Sequence, residues 1–322
     1  MAVGFGSHGT VVFQGSLQGR SVAVKRLLRD FVTLADREVS ILQESDDHPN
    51  VIRYYYQEAH ENFLYIALEL CPASLADVIE NPNQDQWRDI AINFDPKKAL
   101  KQIASGLKHL HGLKLVHRDI KPQNILISEN KSDMSSNSFG SRNGRGRNGY
   151  RMLISDFGLC KKLDVDQTSF VPTAYGSLAA GTVGWRAPEI LRGEVKLDEG
   201  LVGEDKSSVS SKGSVDTVTE DSSSGIVGSS GNNKLQARLT KNVDIFSLGC
   251  LFYYTLTNGD HPYGDRYERE VNIMKDTKDL SGVERFGEEG TEAKDLIMRM
   301  LELEPSKRLV FIDSVLKISS LL

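Results

Sequence analysis

The stretch that most constrains this chain is His117-Arg118-Asp119-Ile120-Lys121-Pro122-Gln123-Asn124, followed at a distance by Asp156-Phe157-Gly158. Phosphoryl transfer needs a carboxylate that orients the attacking hydroxyl, a lysine near the phosphate, and oxygen ligands for magnesium. Asp119 and Lys121 are the candidate catalytic residues, and Asn124 and Asp156 are the candidate Mg²⁺ ligands. A chance turn rich in Asp and Asn is the alternative, but it does not account for both motifs in this order.

A glycine-rich segment, Gly4-Phe5-Gly6-Ser7-His8-Gly9, opens the chain. Its spacing alone also fits a dinucleotide-binding turn, but a helix would then follow the last glycine. Here an apolar β-branched run follows, and then a second strand that ends in Val22-Ala23-Val24-Lys25. This order predicts an ATP site in which glycine amides and Lys25 bind the phosphates. The nucleotide contacts predicted here are Gly4, Gly6, Gly9, Val11, Ala23 and Lys25, with a solvated lysine at a strand end as the alternative for Lys25.

Helical spacing of apolar residues over residues 31–43 predicts a helix that carries Glu38. A buried lysine needs a carboxylate partner, so we expect Glu38 to pair with Lys25, with Glu44 as the alternative. Two strands are predicted over residues 51–58 and 63–70. The segment Glu69-Leu70-Cys71-Pro72, called the connector below, then breaks the pattern. We expect Leu68, Leu126 and the backbone of Glu69 and Cys71 to contact the adenine.

Strands dominate the first part of the chain and helices the rest, which predicts an α+β fold with two lobes and a nucleotide cleft between them. The N-lobe is assigned to residues 1–70 and the C-lobe to residues 71–322. Two polar stretches, residues 128–150 and 193–239, are predicted to be disordered inserts because they are too polar to offset the entropy of ordering. Arg142, Arg145 and Arg147, with Arg151 just beyond, could contact RNA or acidic lipid, but a disordered surface loop is the favoured interpretation.

Charge and cysteine content narrow the classes of partner. The net charge of -5 argues against a broad nucleic-acid surface, so we expect no nucleic acid to bind this chain. Its three cysteines are widely spaced, which is typical of reduced thiols in the cytosol. No apolar run reaches the ~18 residues that a membrane span needs, so we expect membrane attachment only through parts absent from this chain.

Residues 159–180, called the activation segment below, carry several hydroxyl side chains, and Gly181-Thr182-Val183-Gly184-Trp185-Arg186-Ala187-Pro188-Glu189 follows them. Phosphate on Ser169, Thr173 or Ser177 would add negative charge that can order this segment. We also expect Thr182 to contact residues 117–124, called the catalytic loop below. Asp244 is expected to hold the backbone of that loop, and Arg308 is expected to pair with Glu189.

Together these landmarks resemble the eukaryotic protein-kinase family from Gly4 to about Leu316. Three narrower strings look like the inositol-requiring kinase/endoribonucleases, sensors of the unfolded protein response, in their fungal forms: Tyr65-Ile66-Ala67-Leu68-Glu69-Leu70-Cys71, Asp156-Phe157-Gly158-Leu159-Cys160-Lys161-Lys162-Leu163 and Gly184-Trp185-Arg186-Ala187-Pro188-Glu189. The resemblance implies a Ser/Thr kinase that uses ATP and Mg²⁺ at the cytosolic face of the endoplasmic reticulum. It also implies a homodimer that phosphorylates protein substrates, including its own activation segment.

We expect this chain to lack the lumenal and ribonuclease parts of that family, and therefore to cut no RNA. A nucleotide-gated scaffold that self-associates, with incidental catalysis, is the competing function. Loss of Lys25, Asp119 or Asp156 would favour the scaffold, and all three are present. The sequence therefore favours the enzyme.

Overall fold

An antiparallel sheet forms the N-lobe in the computed structural model, which describes residues 2–5, 10–28, 32–129, 149–163, 169–170, 173–175, 178–179, 181–192, 196–197 and 239–309. Its strands are β1 (Ala2–Phe5), β2 (Val11–Leu17), β3 (Arg20–Leu28), β4 (Tyr54–His60) and β5 (Phe63–Glu69), in the order β1-β2-β3-β5-β4. Helix α1 (Val32–Ser45) buries Val39, Ile41 and Leu42 against this sheet. The register places Ala23 opposite Leu68 on β5, so the two predicted adenine contacts are cross-strand neighbours.

The start of β4 differs from its prediction. A strand was expected from residue 51, but β4 begins at Tyr54. Val51 instead makes an isolated bridge with Ile154, and the Ile52 N–H donates to the Ile154 carbonyl at 2.9 Å. Val51 and Ile52 are both 1% exposed, so their burial against the C-lobe outweighs their tendency to extend β4.

The C-lobe is mainly helical. Its helices are α2 (Leu75–Glu80), α3 (Arg88–Ile92), α4 (Pro96–Gly112), α5 (Pro188–Leu191), α6 (Asn242–Thr257), α7 (Arg269–Lys275) and α8 (Glu288–Met300), with 3₁₀ turns at Pro122–Asn124, Ser281–Phe286 and Pro305–Lys307. Asp95 caps α4 by accepting from the Lys98 N–H, and Pro96 takes the first helical position, where a missing N–H costs nothing. Helix α6 is buried around nearly its whole circumference and forms the centre of the lobe. The predicted α+β architecture is therefore confirmed.

Small sheets lie between the lobes and around residues 159–187. They contain β6 (Ala73–Ser74), β7 (Leu115–Val116), β8 (Ile125–Glu129), β9 (Tyr150–Ile154), β10 (Lys161–Lys162), β11 (Ser169–Phe170), β12 (Thr173–Tyr175), β13 (Leu178–Ala179), β14 (Lys196–Leu197) and β15 (Leu239–Thr240). Strand β8 pairs with β6 and β9, so the two strands that flank the first insert are hydrogen-bonded neighbours.

The limits set for the inserts need correction. Residues 128, 129 and 150 belong to β8 and β9, where cross-strand hydrogen bonds order them. Strand β14 pairs with β12, and β15 pairs with β11, so residues 196–197 and 239 are also in strands. Residue 149 is also described, and the rest of both inserts, including Arg142, Arg145 and Arg147, lies outside the described residues. Among the described residues no helix is both long enough and apolar enough to span a membrane, and Cys71, Cys160 and Cys250 are free thiols.

Gly106 lets α4 approach the turn before β4. A Cβ at this position would lie 2.5 Å from the Asn50 carbonyl oxygen and 3.2 Å from Ile154 Cδ1. We expect Gly106→Ala to lower the free energy of unfolding by ~1–3 kcal/mol, because backbone on both sides must move. The matched control is Gly112→Ala on the same helix, where a Cβ meets nothing within 4 Å. Denaturant titration should show Gly112→Ala neutral or slightly stabilising; equal effects of the two would contradict the proposed contact.

Candidate active site

Lys25 lies between two carboxylates in the cleft. Its Nζ is 2.5 Å from Glu38 Oε1 and 3.0 Å from Asp156 Oδ1. Strand β3 presents the lysine and α1 presents the glutamate, so the predicted ion pair is confirmed, and Glu44 pairs with Lys162 instead. Burial opposes the charge on Lys25, but the two carboxylates outweigh it and raise the lysine's pKa. Lys25 in turn lowers the pKa of Asp156 to about 2, against the effect of burial, so both groups are charged at neutral pH.

Three donors surround the carboxylate of Asp119. The Thr182 hydroxyl donates to Oδ1 at 2.6 Å, and Lys121 Nζ donates to Oδ2 at 2.8 Å. Asn124 Nδ2 donates to Oδ2 at 2.9 Å and to the Asp119 carbonyl at 2.8 Å. Lys121 also donates to the Thr182 hydroxyl at 2.6 Å. The predicted contact of Thr182 with the catalytic loop is thereby confirmed, and Asp119 is held in one orientation from three directions.

Asn124 and Asp156 both line the cleft and offer oxygen atoms to a cation. The Asn124 amide nitrogen is engaged by Asp119, so its amide oxygen is the atom left for a metal. Mg²⁺ prefers oxygen ligands and is commonly held by one or two protein groups together with substrate phosphates. No group of three or more His, Cys, Asp or Glu residues suited to a metal occurs within the described ranges. The donor set therefore fits Mg²⁺ brought in with a nucleotide.

The cleft between the lobes is a cavity of about 870 Å³, within the usual range for small-ligand sites. It is lined by most of the predicted nucleotide contacts: Gly4, Ala23, Lys25, Leu68, Glu69, Cys71, Leu126 and Asp156. Gly6 and Gly9 lie outside the described residues. Apolar Ala23, Leu68 and Leu126 suit a flat base, and Lys25 with the Mg²⁺ ligands suits its phosphates.

The assignment of Val11 to the cleft was wrong. Thr10, Val12 and Gln14 line the cleft, whereas Val11 does not. Side chains alternate between the two faces of a strand, so the residues facing the cleft on β2 have even numbers. Trp87 and Gln123 also line this cavity, although no sequence motif predicts them. The two-residue period of β2 could have found Val12, but no local pattern singles out Trp87.

Asp244 fixes the catalytic loop from the first turn of α6. Its Oδ2 accepts the His117 N–H at 2.8 Å and its Oδ1 accepts the Arg118 N–H at 2.7 Å. His111 Nε2 donates to the same carboxylate at 2.9 Å. Burial opposes ionisation of Asp244, but these donors hold its pKa below the usual value. Arg118 has a φ of 68°, a left-handed conformation that this double contact stabilises. The expected role of Asp244 in holding the loop backbone is confirmed.

Arg308 and Glu189 form a second buried ion pair. The guanidinium donates to both Glu189 oxygens at 2.6 and 2.7 Å, in a fork geometry that only arginine provides. Arg308 also donates to the carbonyls of Glu302 and Asn242, at 2.6 and 3.1 Å, and its side chain has no exposed surface. The predicted pair is confirmed and joins the residue after the 3₁₀ turn Pro305–Lys307 to α5.

This combination of fold and site is that of a protein kinase domain. A family model described as a protein kinase domain matches residues 1–200, more than half of the chain. The chain therefore belongs to the protein kinase family.

Curated relatives narrow this class. The chain is 48% identical over 311 residues to the serine/threonine-protein kinase/endoribonuclease ireA of Aspergillus fumigatus, covering 96% of this chain and 24% of that protein. It is 42% identical over 315 residues to the sensor for unfolded proteins in the ER ire1 of Schizosaccharomyces pombe, covering 95% of this chain and 25% of that protein. It is 40% identical over 306 residues to the human serine/threonine-protein kinase/endoribonuclease IRE2, covering 95% of this chain and 26% of that protein. The chain thus spans about a quarter of the length of the curated relatives it matches. The similarity to the kinase/endoribonucleases, with fungal members among the most similar, agrees with the resemblance seen in the sequence.

Proposed function

We propose that this chain is a Mg²⁺- and ATP-dependent Ser/Thr protein kinase that acts in unfolded protein response signalling. The observation that carries the proposal is the position of Asp119, whose carboxylate is held by Thr182, Lys121 and Asn124 close to the cleft. The Ser/Thr specificity and the pathway rest on the similarity to a serine/threonine-protein kinase/endoribonuclease and to a sensor for unfolded proteins in the ER.

Each residue of the site has a role in the proposed reaction. Asp119 orients the acceptor hydroxyl and accepts its proton, and Lys121 stabilises the negative charge that develops on the transferred phosphate. Lys25, positioned by Glu38, binds the α and β phosphates. Asn124 and Asp156 would hold Mg²⁺, which supplies charge neutralisation between the phosphates when bound.

The hydrogen bonds to Asp119 leave an acceptor position for the hydroxyl of a protein substrate. Both carboxylate oxygens already accept hydrogen bonds from within the chain. A carboxylate has about four acceptor positions, so an incoming hydroxyl can bond Asp119 while Lys121 and Asn124 stay in place. Pre-set donors of this kind need no reorganisation at the moment of transfer.

The substrates we propose are protein hydroxyls, including those of the activation segment in a second copy of this chain. Within a homodimer that segment would reach the partner's active site. By similarity to the relatives, the proposed location is the cytosolic face of the endoplasmic reticulum membrane. The intact Lys25, Asp119 and Asp156 favour this enzyme over a self-associating scaffold without useful catalysis.

Autophosphorylation should concentrate on Ser169, Thr173 and Ser177. Ser169 and Thr173 lie in the short strands β11 and β12, and Ser177 lies outside the described residues. Thr182 should carry little phosphate, because its hydroxyl is held by Asp119 and Lys121. The measurement is mass spectrometry after incubation of the purified chain with Mg-ATP, with EDTA as the control. Phosphate found mainly within residues 207–230 would contradict the proposed substrate.

A further inference from the structure

The connector carries a partly buried ion pair that the proposed reaction does not use. Glu69 ends β5 and lines the nucleotide cleft, but its carboxylate bonds Arg151 on β9. Arg151 Nη2 donates to Glu69 Oε1 at 2.7 Å, and the Ser128 hydroxyl donates to the same oxygen. The side chains of Glu69 and Arg151 are 15% and 27% exposed, so water screens this pair only partly.

The two donors act from one place in the C-lobe. Ser128 and Arg151 are register partners in the β8–β9 pair. Leu126 lies two residues before Ser128 on β8, so it shares that face of the strand, and it lines the cleft. Strand β8 therefore lines the cleft through Leu126 and contacts the connector through Ser128.

Arg151 also reaches the other side of the connector. Its Nη1 donates to the Pro49 carbonyl at 2.9 Å, in the turn before β4. The Glu69 N–H donates to the Arg53 carbonyl at 3.0 Å, so the carbonyl oxygen is the backbone group that Glu69 can offer to a base. One guanidinium thus fixes the carboxylate of Glu69 and the turn that approaches its backbone.

We propose that Arg151, together with Ser128, is a positioning residue that sets the geometry of the connector and thereby the affinity for nucleotide. The proposal rests on the proposed function only in taking the cleft to be the ATP site. Arg151 does not line that cleft, so it acts through Glu69. A hydrogen bond made by charged groups resists displacement more strongly than a neutral one, which keeps the connector in place before ATP binds.

The test compares Arg151→Gln with a matched control, Arg299→Gln on α8. Arg299 is exposed and makes only a long ion pair with Asp295, at 3.8 Å. Binding of ATP and ADP is measured by calorimetry on the Asp119→Asn variant, where phosphate transfer is expected to be ~10²–10⁴ slower. We expect Arg151→Gln to weaken binding roughly tenfold and Arg299→Gln to leave it unchanged. In the active protein the KM for ATP should rise by a similar factor while kcat changes little.

A double-mutant cycle separates positioning from general stability. Arg151→Gln combined with Glu69→Gln should bind nucleotide no more weakly than the weaker single variant, because both remove one interaction. Arg151→Lys should restore part of the affinity, since it keeps the charge but not both contacts. Ser128→Ala should weaken nucleotide binding less than Arg151→Gln does. It provides the test if Arg151→Gln does not fold.

The outcomes distinguish this inference from the proposed function. If the protein with Arg151 intact binds no nucleotide, the proposed function fails, and the inference fails with it. If that protein binds nucleotide and Arg151→Gln binds it equally well, only the inference fails. A lower melting temperature with unchanged affinity would show that Arg151 is merely structural and would overturn the proposal.

Discussion

Asp119→Asn should lower the rate of phosphate transfer by ~10²–10⁴, the usual contribution of a positioned general base. The amide nitrogen of asparagine cannot accept the proton of the acceptor hydroxyl, and it cannot replace the carboxylate that Thr182 and Lys121 bond. Affinity for ATP should stay close to that of the unmodified protein, because Asp119 does not line the nucleotide cleft. The measurements are incorporation of phosphate from Mg-ATP and calorimetry with ATP.

The control for this change is Asp295→Asn on α8, where the carboxylate is exposed and makes one weak pair with Arg299 at 3.8 Å. It should transfer phosphate at the unmodified rate. Melting temperatures of both variants show whether the fold survives. If Asp119→Asn labels itself as fast as the unmodified protein, the assignment of Asp119 is wrong, and another carboxylate must orient the hydroxyl.

Arg308→Met should cause the largest loss of stability among single changes outside the cleft. It removes both bonds to Glu189 and leaves that carboxylate largely buried without its cation. Breaking a buried pair on one side costs ~3–5 kcal/mol. For a domain of this size the melting temperature should fall by roughly 6–20 °C. Differential scanning calorimetry measures the shift.

Two further variants show whether charge causes that loss. Arg299→Met on α8 removes an exposed arginine and should change the melting temperature little. The double variant Arg308→Met with Glu189→Leu removes the stranded carboxylate and should recover part of the stability. If the double variant is as unstable as the sum of the single ones, packing and not the ion pair dominates at Arg308.

Much of the fold was predictable because local patterns decide it. Apolar spacing predicts α1 to within two residues at either end, and β-branched runs predict β2, β3 and β5. The start of β4 was not predictable in this way. Val51 and Ile52 suit a strand equally well, but the partner that they find is Ile154, some hundred positions away along the chain.

In the candidate site, too, local motifs predict some residues, whereas other contacts depend on the fold. Lys25, Asp119, Asn124 and Asp156 follow from motifs, because the chemistry requires those residue types in that order. The single-residue error at Val11 arose because the motif describes spacing, whereas the alternation of β2 decides which side chain meets the cleft. The contact between Glu69 and Arg151 joins residues 82 positions apart, and neither belongs to a motif that names the other.

The backbone of the catalytic loop depends on Asp244, a residue in the interior of the C-lobe. Its carboxylate is completely buried at the amino-terminal turn of α6, where a negative charge is also favoured by the helix dipole. Both residues that precede Asp119 depend on that one side chain for their backbone geometry. Fraying of that single helical turn would therefore release the backbone of the catalytic loop, whereas most of the residues that line the cleft belong to other elements.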